Sequence, residues 1–96
     1  MNVREVRELA RLGRAIKASN YHAGRRGFSF LQVLTALEKC YHVEKDARAD
    51  PRGNPLHANG WFAMANLPAR IRLRIDFDLV QDDLGNLLLI VTAYDV

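Results

Sequence analysis

The chain has 96 residues, 49% of them hydrophobic and 26% charged, which suits one globular domain, leaves no room for a second core and excludes a disordered tail. Its formal charge of +3 is uneven: residues 1–57 hold eleven Lys/Arg against six Asp/Glu, a balance of +5, while residues 70–96 hold three against five, a balance of −2. Such asymmetry fits a polyanion on one side and a basic partner on the other, and a core this small would gain from homodimerisation.

The single Cys40 excludes an internal disulfide framework, and there is no Cys-x-x-Cys pair for a zinc knuckle. Residues 1–14 contain no continuous apolar run of the kind a secretory signal needs, and the longest apolar stretch, residues 87–91, is far too short to cross a bilayer. The expectation is a cytoplasmic protein with no membrane partner.

Between residues 2 and 18, Val3, Val6, Leu9, Ala10, Gly13 and Ile16 fall on one arc of a helical wheel, and Arg4, Arg7, Arg11 and Arg14 cluster on the other. The pattern predicts a first amphipathic helix with an arginine stripe. That stripe reads either as a solvated face laced with Glu5 and Glu8 or as part of a nucleic-acid-binding surface. Residues 19–27 form a linker containing His22, Arg25 and Arg26, placed just before a helix start whose free N–H groups favour anions.

A second helix is predicted over residues 29–42. Ser29 is the expected N-cap with Gln32 completing a capping box, and Phe30, Val33, Leu34, Leu37 and Tyr41 form the apolar side. Cys40 sits at the rim of that side. A short strand is expected at residues 43–47, turns at 50–55, a strand at 56–65 with Gly60 marking a bulge or close packing, and a turn at 66–68. Residues 70–79 then alternate without exception, so that Ile71, Leu73, Ile75, Phe77 and Leu79 face the core. After a loop at 81–86, the apolar run of residues 87–94 predicts a central last strand buried on both faces. The fold class is therefore α+β, with two N-terminal helices packed on a mainly antiparallel four-stranded sheet spanning about residues 43–95, in the order α-α-β-β-β-β.

The outward row of the alternating strand supplies the first chemical candidate. Arg70, Arg72 and Arg74 project from one sheet face at intervals of about 7 Å, comparable to phosphates along a nucleic-acid strand. Guanidinium groups grip phosphate bidentately and stabilise charge developing at phosphorus. The competing reading is a solvated face in which these arginines pair with Asp76, Asp78 and their neighbours. His22, His42 and His57 could each act as an acid or base near neutral pH, and Tyr94 could donate to a phosphate or cap the core. Asp76-x-Asp78, Glu44-x-Asp46, Asp82-Asp83 and Cys40-x-His42 show no recognised metal-ligand spacing, and no phosphate loop, dinucleotide fingerprint or nucleophile elbow occurs.

Asn20-Tyr21-His22-Ala23, Arg26-Gly27-Phe28-Ser29 opening a helix, and the closing strand ending Thr92-Ala93-Tyr94 together resemble small members of the RelE/ParE-like toxin superfamily, in particular the BrnT-like and uncharacterised toxin-like branches. The resemblance covers residues 21–96. It implies a compact ribonuclease that cuts RNA with neither metal nor cofactor and is paired with a cognate antitoxin protein. Carried over residue by residue, it implies catalytic roles for His22, Arg72, Arg74 and Tyr94, with Arg26 at the helix start. The arginine-rich first helix is not part of that pattern. A second expectation, from a different class, is a non-enzymatic nucleic-acid- or protein-binding module, which needs only the basic faces.

Overall fold

Helix α1 (Val3–Arg11) begins at Asn2, whose side chain accepts a 2.9 Å hydrogen bond from the Glu5 amide while the Glu5 carboxylate accepts one of 3.0 Å from the Asn2 amide. The computed structural model describes residues 1–19, 21, 27–57 and 59–95, and of Tyr94 and Asp95 only the backbone. The helix ends seven residues before the expected boundary at residue 18. Gly13, at φ 74°, donates to the Ala10 carbonyl at 3.1 Å, and the Arg14 amide donates to Leu9 at 2.8 Å. These are the two bonds of a Schellman motif, which satisfies the last carbonyls and turns the chain out of the helix.

The turned chain becomes strand β1 (Ala15–Lys17), which pairs in parallel with the last strand through Ala15↔Leu89, Ile16↔Ile90 and Lys17↔Val91. Ile16, expected on the buried side of a helix, is instead 46% exposed, and Leu12 is 64% exposed.

Helix α2 (Phe30–Leu37) starts as expected, with the Ser29 hydroxyl accepting from the Gln32 amide at 3.1 Å and Gln32 accepting from the Ser29 amide at 2.8 Å. It stops at Leu37 and not at His42. Cys40 then drops fully into the core, Tyr41 is half-exposed, and His42 opens the next strand. Strands β2 (His42–Lys45), β3 (Gly60–Leu67), β4 (Ile71–Gln81) and β5 (Leu87–Asp95) complete a sheet of order β1-β5-β4-β3-β2, antiparallel everywhere except at β1. The α+β class stands, but the sheet is five-stranded and mixed, and the element order is α-β-α-β-β-β-β.

Apart from Gly60, the buried sheet residues lie on one face. Ala63 and Ala65 of β3, Leu73, Ile75 and Phe77 of β4, and Leu89, Val91 and Ala93 of β5 meet Val6 and Ala10 of α1 and Val33, Ala36 and Leu37 of α2. Ile71 and Leu79 pack at the margin of this core, so the inward row of β4 is as its alternation predicts. Strand β5 is internal, yet buried on one face only: Leu88, Ile90 and Thr92 are partly exposed. Both helices thus cover one face and leave the other open. No helix among the described residues is long and apolar enough to cross a membrane.

Candidate site on the open face of the sheet

Register fixes what the open face carries. From one end of β4 to the other, Arg72 stands opposite Asn66, Arg74 between Met64 and Tyr94, Asp76 between Phe62 and Thr92, and Asp78 between Gly60 and Ile90. Arg70 is not a rung of this row. It lies in the β3–β4 turn, where Ala69 and Arg70 have φ of 66° and 60°, so the ladder has two arginines.

The segment after β2 folds onto this row. Asp46 is almost fully buried, with a side chain 2% exposed, and accepts from the Arg48 guanidinium at 2.7 and 2.9 Å and from the Arg48 amide at 3.1 Å. Arg48 also donates to Asp76 at 2.9 Å, and Arg74 donates to the other Asp76 oxygen at 2.7 Å. The second amino group of Arg74 lies 3.8 Å from Asp46, outside hydrogen-bonding distance, and has no bonded partner among the described residues. Its guanidinium is stacked 3.9 Å from the centre of the Phe62 ring. The Arg48 hydrogen bonds hold the Asp46 carboxyl down at about 2 against the opposing effect of burial, and Asp46 in turn raises Arg48.

Beside this network is a cleft of about 130 Å³ lined by Asp46, His57, Trp61, Asp76, Asp78 and Thr92. Gly60 makes the close approach there, since a Cβ at this position would stand 2.5 Å from the Cβ of His57. The expectation of close packing at Gly60 holds, and the glycine amide donates to the His57 carbonyl at 3.0 Å.

The arginine stripe expected on the first helix does not join the ladder, because α1 packs on the covered face. Arg7 donates to the Cys40 carbonyl at 2.7 Å, Arg11 pairs with Glu8, and Arg4 lies with them and Lys39 along a groove that also contains Glu8 and Glu38. Arg14, beyond the helix, donates to the Leu87 carbonyl at 3.1 Å and pairs with Asp82, tying β1 to the β4–β5 turn. Backbone amides of Asn86 and Leu84, together with Arg14, keep the Asp82 carboxyl below its ordinary value.

Of the residues expected to act, Arg72 is exposed and, among the described residues, makes no ion pair; Arg74 is held in the network; and the Tyr94 backbone is in register with Arg74. His22, Arg25 and Arg26 lie outside the described residues. His42 sits on the edge strand 3.4 Å from Glu44, away from the cleft. Sequence reasoning missed Asp46, Arg48 and Thr92 as neighbours of the ladder, since nothing local ties residues 46–48 to a strand 28 positions later. Among the described residues no group of three or more His, Cys, Asp or Glu side chains is placed to hold a metal ion. Chemically, the face is dipolar: at one end the Arg72 guanidinium, without an ion pair among the described residues, then a neutralised centre, and at the other end the Asp78 carboxylate. The chain matches no family model, no curated protein and no solved structure.

Proposed function

We propose that the open sheet face binds RNA and that the protein is a toxin-like, metal-independent endoribonuclease of the RelE/ParE-like kind, acting in the cytoplasm and restrained by a cognate antitoxin protein. The observation that carries this reading is Arg72, exposed and without an ion pair among the described residues, standing beside Arg74 on a face that no helix covers. In the proposed reaction a base, assigned to His22, takes the proton of a ribose 2′-hydroxyl, whose oxygen attacks the adjacent phosphorus. The P–O5′ bond breaks, leaving a cyclic 2′,3′-phosphate and a 5′-hydroxyl that receives its proton from Tyr94. Arg72, which is exposed, and Arg74 behind it supply the positive charge that stabilises the phosphoryl oxygens. Arg25, Arg26 and Arg70 contribute attraction for the strand.

Induced expression in bacteria, with purified protein incubated with RNA in chelator, tests this. Wild type is expected to arrest growth and cut RNA, and Arg72→Ala to slow cutting by about 100-fold. Normal growth with intact RNA would sink the proposal.

A second reading, a non-enzymatic nucleic-acid-binding module, draws on the ion pairs themselves: Asp46 and Asp76 neutralise Arg74 and Arg48, and a face so balanced suits binding more than catalysis. Here RNA is bound but not cut, affinity falls with salt, and Arg72→Ala lowers the log–log salt slope by about one.

A further inference from the structure

The outward row of β4 reads Arg72, Arg74, Asp76, Asp78, two cations followed by two anions at equal intervals. Such a row is complementary to itself when turned end for end. If two open faces meet across a two-fold axis that lies between the sheets and passes over Ile75 at right angles to β4, Arg72 stands over Asp78 of the second copy and Arg74 over its Asp76. Every contact is made twice, as an isologous interface requires. The neighbouring strand obeys the same operation. Phe62 is level with Asp76 and Met64 with Arg74, so the axis sets Phe62 of one copy over Met64 of the other, a favourable aromatic–thioether contact.

Within this row, the charges left without a partner among the described residues are the ones this symmetry joins. Arg74 and Asp76, nearest the axis, are already bonded to each other at 2.7 Å, and Arg48 of the same chain holds the other Asp76 oxygen at 2.9 Å, so the pairs that two copies form anew are the outer ones. Arg72 is exposed and Asp78 partly exposed, and among the described residues neither makes a hydrogen bond or ion pair through its side chain. Apolar surface surrounds the row, with Phe62, Met64 and Ile90 half-buried and Ile16 46% exposed. Facing sheets cross at about 30°, which shifts a residue about 10 Å from the axis sideways by about 5 Å, within the reach of an arginine side chain.

We infer that the open face is a self-association surface on which a second copy of this chain docks with its β4 antiparallel to the first, closed by two Arg72–Asp78 ion pairs. The dimer covers Arg72, so self-association and RNA occupy the same face in turn. The inference does not depend on cleavage.

Sedimentation equilibrium of the full chain without RNA, over about 5–500 µM in low salt, reads it directly. Wild type is expected to dimerise in the micromolar range. Arg72→Asp and Asp78→Arg each set like charges against one another and should weaken the dimer about tenfold or more, while the double swap R72D/D78R should return it to within about threefold of wild type. Arg4→Glu, on the covered side, should change nothing. If a single variant unfolds by circular dichroism, the Met64 methyl resonance of wild type, expected to shift with concentration, supplies the second readout. A wild type that stays monomeric to about 500 µM overturns the inference. So does a dimer indifferent to both single reversals, or a double swap no stronger than either.

Discussion

Asp46→Asn keeps the shape of the one buried charged residue among those described and removes its charge. The carboxyl falls from 3.8 to about 2 on folding, so its ionised form contributes at most about 2 kcal/mol. Arg48 is 44% exposed, so solvent screens part of that and leaves about 1–2 kcal/mol. In a domain of this size that is worth about 5–15 °C in melting temperature. Because the folded value lies below the unfolded one, the contribution is complete at neutral pH, about half lost by pH 3, and gone once the pH falls well below 2. Thermal melts of wild type and Asp46→Asn between pH 7 and pH 3 should therefore show a gap that shrinks by about half toward acid. A gap that stays constant with pH, or that is absent at pH 7, would show that the Asp46–Arg48 pair does not stabilise the fold and refute the reasoning.

Gly60→Ala forces a methyl to within 2.5 Å of the His57 Cβ, and overpacking of this kind should cost about 1–3 kcal/mol in urea denaturation. Gly13→Ala meets no atom within 4 Å but must hold φ near 74°, so it should cost about 1–2 kcal/mol, with faster hydrogen exchange at the Ala18 amide that bonds Val91. Ser29→Ala removes half of the capping box on α2 and should lower stability by about 1 kcal/mol, read as a lower urea midpoint with an unchanged slope.

The inward row of β4 and the start of α2 were legible because each is written in local chemistry: strict alternation has one pleated solution, and a serine followed three residues later by glutamine satisfies the first amides of a helix on its own. Strand β1 was not. Three residues are too few to show a period of two, and Ile16 fits a helical arc equally well until β5 offers it a parallel partner. The candidate site divides the same way. Arg72 and Arg74 were visible as rungs of one face, whereas the choice between phosphate ligand and ion-pair partner depended on what lay opposite them. Asp46 and Arg48 reach that face from a segment with no strand periodicity, and only the packed chain brings them to Arg74 and Asp76. What the sequence determined by itself is therefore the α+β class, the buried row of β4 and the cap of α2, which depend on interactions between near neighbours. The tertiary structure decided the fifth strand, the side on which the helices lie, and which arginine of the ladder is drawn into ion pairs with Asp46 and Asp76, because each depends on groups that meet only after distant strands have paired.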